Sequence, residues 1–287
     1  MEFFVLNLLN GVAFGFILFL LACGLSLALG VMGILNLAHG ALYMVGAYLG
    51  WTIAINQGLN FWLAVLVGAV AGGLLGLIME WGFFRYLHGQ LNEQVLLTFG
   101  FIYILTNLTQ WIWGPIPKAP FTAPFLAGSF PLGSYTYPFS RIATIFIGMI
   151  LAVALWWLLE RTRAGAIIRA GMDDRKMSTG LGINVGLVST AVFALGAFIA
   201  GAAGVLGARM FGVNLELGLN VLLYALIVVV IGGMGSIPGA ILGSMVIGIV
   251  DSFIKGLNPD LGYFSMYLIM IIILLVKPTG LLGKRRI

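Results

Sequence analysis

Residues 143–159 read Ala143-Thr-Ile-Phe-Ile-Gly-Met-Ile-Leu-Ala-Val-Ala-Leu-Trp-Trp-Leu-Leu159, a run without a single charged side chain. A bilayer core of about 30 Å takes about 20 apolar residues per helical crossing, so this stretch is close to one span. Backbone polar groups in hydrocarbon must be satisfied within their own element, which leaves helices or closed barrels. A barrel strand alternates polar and apolar positions. Neither this run nor Tyr267 to Val276 does so, and both read as helix. The same character extends outward over the whole chain of 287 residues, 61% hydrophobic and 8% charged. Soluble domains carry roughly 25% charged residues, and their surfaces need them. The expected fold is an all-α polytopic transmembrane bundle, with residues 1–287 forming one membrane domain.

Apolar runs read against their breakers give nine segments. They are Phe4–Gly30, Gly40–Ile55, Phe61–Phe84, Val95–Trp113, Arg141–Leu159, Gly186–Met210, Gly218–Ile231, Gly239–Ile254 and Gly262–Val276, or eight to nine spans with interrupted helices counted. Basic residues then set the orientation. With the N-terminus outside, the inner connections hold Arg85, the group Arg161, Arg163, Arg169, Arg175 and Lys176, and the tail Lys277, Lys284, Arg285 and Arg286. Only Lys118, Arg141, Arg209 and Lys255 fall outside. The expected orientation puts the N-terminus outside and the C-terminus cytoplasmic.

The net charge of +5 is scattered between apolar runs. It forms no continuous basic face, so a nucleic-acid partner is not expected. Cys23 is the only cysteine and excludes an internal disulfide. The residues before it lack the basic n-region of a signal peptide, so the first segment reads as a retained helix. Between Gly114 and Ser140 lie Pro115, Pro117, Pro120, Pro124, Pro131 and Pro138. Prolines at that density favour extended and turn backbone. This outer loop is expected to lie on the membrane surface, either capping the bundle or docking an outer partner.

Two apolar runs are broken where no full loop exists, at Gly33 to Leu42 and at Gly232 to Ile241. Aligned on Gly33 and Gly232, they also match at Gly40 with Gly239 and Ala41 with Ala240. Paired interruptions are a pointer to a transport pathway. Asn36 and Ser236 are suited to N-cap the helices that follow, and Pro238 suits a first turn. Each break would present a helix N-terminus to a carboxylate or carbonyl oxygen. The candidate pathway residues are Asn36, His39, Gly40, Tyr43, Gly232, Gly233, Gly235 and Ser236. His39 reads as a pathway residue or as a tether of the turn, and His88 as a solvated loop residue. Tyr103, Thr106, Asn107 and Gln110 share one helical face, which either lines a path or joins helices. Asp251 and Lys255 form an i,i+4 pair suited to steadying a helix end.

The longest inner connection, Arg161 to Asn184, is the most charged stretch of the chain. Ile167, Ile168, Met172 and Leu181 give it an apolar stripe. That pattern fits an amphipathic helix on the membrane or a docking helix for a soluble partner.

Ile-Leu-Asn-Leu-Ala-His-Gly-Ala-Leu-Tyr-Met-Val-Gly, within Gly33 to Gly46, resembles the N-terminal motif of branched-chain amino acid ABC transporter permeases of the high-affinity, LivH-like type. Arg169-Ala170-Gly171-Met172-Asp173-Asp174 through Met177 to Gly182-Ile183 is similar to that family's ATPase-coupling segment. Gly232 to Ala240 and Lys277-Pro278-Thr279-Gly280-Leu281-Leu282-Gly283 resemble its C-terminal signatures, and Glu80, Arg85 and Gln94 to Gly100 fit its first inner loop. Trp81, Tyr86 and His88 depart from the basic or proline residues common there. The resemblance implies two cytoplasmic ATPase subunits, a second homologous permease and a periplasmic substrate-binding protein. It assigns ATPase coupling to Arg169, Ala170, Gly171, Asp173, Asp174, Arg175, Met177 and Leu181. The implied cargo is branched-chain amino acids, with urea, short amides or aromatic acids as alternatives among sister permeases.

The chain has no Gly-x-x-x-x-Gly-Lys-Ser/Thr loop of its own to cradle phosphates. Its His, Asp, Glu and Cys residues are too sparse for a metal or nucleophilic centre, so neither an enzyme nor a cofactor is expected. A self-sufficient secondary transporter is the competing class, although Glu80, Glu216 and Asp251 are its only acidic candidates for ion coupling.

Overall fold

The computed structural model describes residues 2–33, 36–56, 60–87, 89–121, 128–133 and 135–283, except the side chains of Val31, Met32, Asn56, Met172, Arg175, Lys176 and Tyr263. His88, Pro124 and the basic residues Lys284, Arg285 and Arg286 lie outside the described residues. In chain order the elements are α1 (Glu2–Met32), α2 (His39–Trp51), α3 (Phe61–Gly82) and α4 (Leu91–Trp113). A hairpin of β1 (Ser129–Leu132) and β2 (Tyr135–Pro138) leads to α5 (Phe139–Arg161). Then come α6 (Arg163–Asp173), α7 (Arg175–Gly180), α8 (Val185–Phe211), α9 (Leu217–Gly232), α10 (Ile237–Leu257) and α11 (Gly262–Val276). A π-helical turn, Thr52–Asn56, prolongs α2.

Each of the nine expected segments is a helix. Six of them, α1, α3, α4, α5, α8 and α10, are long and apolar enough to cross a membrane. The other three, α2, α9 and α11, have 13, 16 and 15 residues, short of the length a full crossing needs. The protein is therefore an all-α polytopic membrane bundle with partial-length helices, of which α2 and α9 lie inside it. The described residues of the proline-rich loop are extended or turned as expected, and two of its stretches pair as the hairpin, in register from Ser129 opposite Pro138 to Leu132 opposite Tyr135. Lys118 bridges to Val213 and Tyr137 is buried, so the described part of the loop caps that end of the bundle.

Two helices, α1 and α8, form the buried centre. Gly24 and Gly196 face each other across their crossing, where each Cβ would come within 3 Å of the other's carbonyl oxygen. Antiparallel to α1 lies α10, with Gly11 against Gly248 and Gly15 against Ser244. Antiparallel to α8 lies α3, with Gly68 against Gly201 and Gly72 against Ala197. Small residues let these backbones approach closely, which is how helices associate where lipid supplies no hydrophobic drive. The pairing is reciprocal: α1 to α4 and α8 to α11 make equivalent contacts in opposite directions. The outer sides of α3, α4, α5 and α11 carry exposed Leu, Ile, Phe and Trp, as a lipid-facing coat requires.

Two acidic residues inside this bundle are tied down. Glu80, at the end of α3, is buried and accepts a hydrogen bond from Thr190 Oγ1 of α8 at 2.6 Å. Asp251 does more than steady its own helix end. It pairs with Lys255 Nζ at 2.7 Å and also accepts from Ser265 Oγ of α11 at 2.5 Å. Asp251→Ala removes the acceptor for both and unfastens α11 from α10. Its expected cost is about 1–3 kcal/mol, checked as a lower melting temperature in detergent, with Asp251→Asn losing less.

Candidate translocation and coupling site

The first break returns the chain into the bundle. His39, the first residue of α2, donates from Nε2 to the Leu21 carbonyl at 3.1 Å and sits against Gly24. Those partners lie 8 to 11 residues before the end of α1 at Met32, so α2 begins about 12–17 Å back along it at 1.5 Å per residue. Asn36 is buried and its Oδ1 accepts from the Ala38 N–H at 3.1 Å, while its carbonyl accepts from the His39 N–H at 3.2 Å. The N-cap position of α2 is therefore Ala38, and Asn36 acts two residues earlier as an Asx turn. His39, Gly40 and Tyr43 are all buried; the Tyr43 ring stands against Gly207 of α8 and its backbone carbonyl against Gly204.

The second break behaves as its residues suggest. Ser236 caps α10, its Oγ accepting from the Gly239 N–H at 3.1 Å, with Pro238 in the first turn. Gly233 and Gly235 adopt φ of 99° and 77°, which glycine alone takes without strain. Gly232 packs on Gly239, and Gly233 receives the C-terminal stretch, with Leu281 and Leu282 donating to the carbonyls of Ile231 and Gly232 at 2.7 and 3.1 Å.

The two breaks are not each other's counterparts. The partner of the first is the stretch from Gly212 to Glu216 between α8 and α9, because Gly40 near the start of α2 meets Gly218 near the start of α9. Two helix N-termini thus converge on one point inside the subunit, and the helices leave it in opposite directions. The Gly33–Gly232 alignment matched two glycine-rich turns of different kinds. Aligned on Gly40 and Gly218, both breaks read Asn-Leu-x-x-Gly, at Asn36-Leu37 and Asn214-Leu215, a short match that the alignment on Gly33 and Gly232 does not use.

On the surface, α4 turns a polar stripe outward. Tyr103 is 68% exposed, Asn107 and Gln110 are exposed and Thr106 is half-buried, amid exposed Leu96, Ile104 and Trp111. These side chains do not join helices within this subunit, which narrows the two readings of that face. Among the described residues, Asn107 Nδ2 donates only to the Tyr103 carbonyl of its own helix, at 2.8 Å.

The charged connection folds as two helices at the end of the bundle where α1 and α5 finish. Thr162 caps α6 by accepting from the Gly165 N–H at 3.1 Å, and Asp174 caps α7 by accepting from the Met177 N–H at 2.9 Å. Arg169 pairs with Glu160 of α5 at 3.3 Å. Gly171 is buried, Ala170 is half-buried and Asp173 is exposed, while Arg175 begins α7. Met177 and Leu181 are 67% and 74% exposed, and Ile168 is turned inward. An Asp174→Ala substitution is expected to fray α7 at a cost of about 1 kcal/mol, with Asp174→Ser restoring it. Amide hydrogen exchange across residues 175–181 measures this directly.

A polytopic helical bundle with reciprocal halves, broken helices and a capped amphipathic surface connection is a membrane transport permease, not an enzyme. The chain belongs to the family described as the branched-chain amino acid transport system permease component, whose profile matches residues 7–274. It is 28% identical to the high-affinity branched-chain amino acid transport system permease protein LivH of Salmonella typhimurium, covering 98% of this chain and 96% of that protein. Identity to the corresponding permease BraD of Pseudomonas aeruginosa is 29%, with 97% and 95% covered. The permease LivM of Salmonella typhimurium is also similar, at 29% over 93% of this chain and 68% of its own length. Among solved structures, PsaBC of Streptococcus pneumoniae in complex with Fab shares the fold, with a TM-score of 0.53 at 12% identity over 96% of this chain and 92% of that one.

Proposed function

We propose that this chain, as one membrane domain, is the permease subunit of an ATP-driven importer for branched-chain amino acids. Partner ATPases would act on α6 and α7 from the cytoplasm, which places the N-terminus outside. The observation that carries the reading is the exposed apolar pair Met177 and Leu181 on a capped, charged helix. Apolar side chains presented on a charged surface helix are the anchors that a docking partner would cover. The names of the relatives support the cargo, and their occurrence as two permeases, LivH and LivM, supports pairing with a second homologous subunit. A periplasmic binding protein would deliver solute at the hairpin end.

In this reading the path runs between the two permeases along α4, whose polar stripe would otherwise sit unpaired in lipid. The first break then acts as the inner frame of the path, with His39 fixing where α2 starts. Replacing Tyr103, Asn107 and Gln110 together by Phe, Leu and Leu is expected to lower leucine uptake about tenfold or more with membrane level unchanged. Vesicles test the whole proposal. Radiolabelled leucine accumulates with ATP only when this chain is reconstituted with its ATPases, second permease and binding protein. Accumulation by the chain alone would replace the proposal with a secondary transporter.

A further inference from the structure

The bundle is open where α5 ends and α10 begins. Both helices lie on α1, Gly148 of α5 against Phe16 and Gly248 of α10 against Gly11 and Gly15. At the α6–α7 end they enclose a cleft of about 270 Å³, walled by Trp156 and Leu159 from α5 and by Ile237, Ile241 and Leu242 from α10. Glu160 also lines it, and Arg169 of α6 holds that carboxylate at 3.3 Å. The rest of the wall is apolar.

Charge gathers beside this slot. The Arg161 guanidinium lies 5.7 Å over the Trp156 ring, and Arg163 follows two residues later. Both are exposed, and among the described residues neither has a carboxylate partner. An apolar cleft in the flank of a membrane bundle is filled by what surrounds it, which is acyl chain. Trp and Arg at its end mark the level where hydrocarbon gives way to headgroups. Guanidinium groups bind phosphate oxygens in a bidentate manner, and two without counter-ions favour a headgroup of net negative charge.

We propose that the α5–α10 cleft binds one anionic phospholipid of the leaflet at the α6–α7 end. One acyl chain lies between Trp156 and Ile241, and the phosphate rests on Arg161 and Arg163. The bound lipid touches the first turn of α10, just beyond the Gly233–Ser236 break, and the helix end that Arg169 ties to α6. It therefore joins the start of α10 to the corner that α5 and α6 form. The inference needs only that α5 and α10 span a bilayer, and it stands or falls separately from the proposed function.

Native mass spectrometry of the full chain, released from nanodiscs of equimolar phosphatidylglycerol and phosphatidylcholine, tests it. One phosphatidylglycerol is expected to stay bound, preferred about tenfold over phosphatidylcholine. Ile241→Trp fills the slot and is expected to lose that lipid. Arg161→Gln with Arg163→Gln, both on the surface, is expected to keep a lipid but lose the preference. Absence of a retained phosphatidylglycerol in the unaltered chain overturns the proposal, as does an undiminished preference in the double-arginine variant. Displacement of the lipid by millimolar leucine also overturns it, since the cleft would then be a solute subsite. If Ile241→Trp does not fold, the arginine pair decides alone.

Discussion

Gly40→Ala is expected to leave little folded protein in the membrane. A Cβ at Gly40 would lie 1.9 Å from the Gly218 carbonyl oxygen and 2.8 Å from the Leu222 Cβ. Carbon and carbonyl oxygen do not come closer than about 3.3 Å in ordinary contact, so α2 and α9 would have to separate by more than about 1 Å. The α2 helix is not free to move. His39 fixes the start of α2 to Leu21, and Gly46 touches Gly201, where a Cβ would stand 2.3 Å from the carbonyl oxygen. Overpacking a tight core costs about 1–3 kcal/mol and occasionally more, and this site belongs at the upper end. For a chain of this size that corresponds to a fall of roughly 6–12 °C in melting temperature, read by fluorescence-detected gel filtration after heating. Gly218→Ala is expected to be far milder, because its Cβ would meet the Gly40 oxygen at 3.2 Å. Gly100→Ala, with nothing within 4 Å of the added carbon, serves as the control. Equal melting of Gly40→Ala and the unaltered chain would mean that the two helix N-termini do not meet as described.

Met177→Glu combined with Leu181→Glu is expected to abolish ATP-driven uptake while leaving the bundle intact. Both side chains are exposed on the subunit, so the change to folding stays within about 0.5 kcal/mol, as for other surface substitutions. Against a docked partner the effect is large, because two apolar anchors become buried carboxylates without partners. Loss of a single interface anchor costs about 2 kcal/mol or more, so uptake is expected to fall at least about thirtyfold. Copurification of the ATPases on a tagged permease is expected to fail in parallel. Normal uptake with retained ATPases would remove α7 from the docking surface. The Asp174→Ala variant is expected to be weaker than this pair, since it loosens the helix that presents the anchors and leaves the anchors themselves in place.

Much of this organisation can be read from the sequence, and the missing part has a physical pattern. Ser236 and Pro238 predict a capped first turn because capping is local, completed within three residues. Apolar run length predicts nine helices for the same reason. Asn36 was legible as a turn-forming residue, yet which N–H it satisfies depends on how residues 37–38 bend, and the cap fell to Ala38. The polar stripe of α4 follows from helical spacing, but spacing is silent on whether that stripe faces a neighbouring helix or the outside. Asp251 and Lys255 were visible as a pair, whereas Ser265 lies on another helix and cannot be found from spacing.

Apolar patterning and basic-residue placement were enough to fix that the chain is a bundle of helices in lipid, with a charged connection at one end. Both depend on each segment's own transfer between water and hydrocarbon, a property of consecutive residues. Tertiary structure alone decided that Gly40 meets Gly218, that α1–α4 and α8–α11 form reciprocal halves, and that α5 and α10 leave a cleft between them. Those features arise where two backbones approach within a glycine's width, and a chain of 41 glycines does not announce which of them will touch.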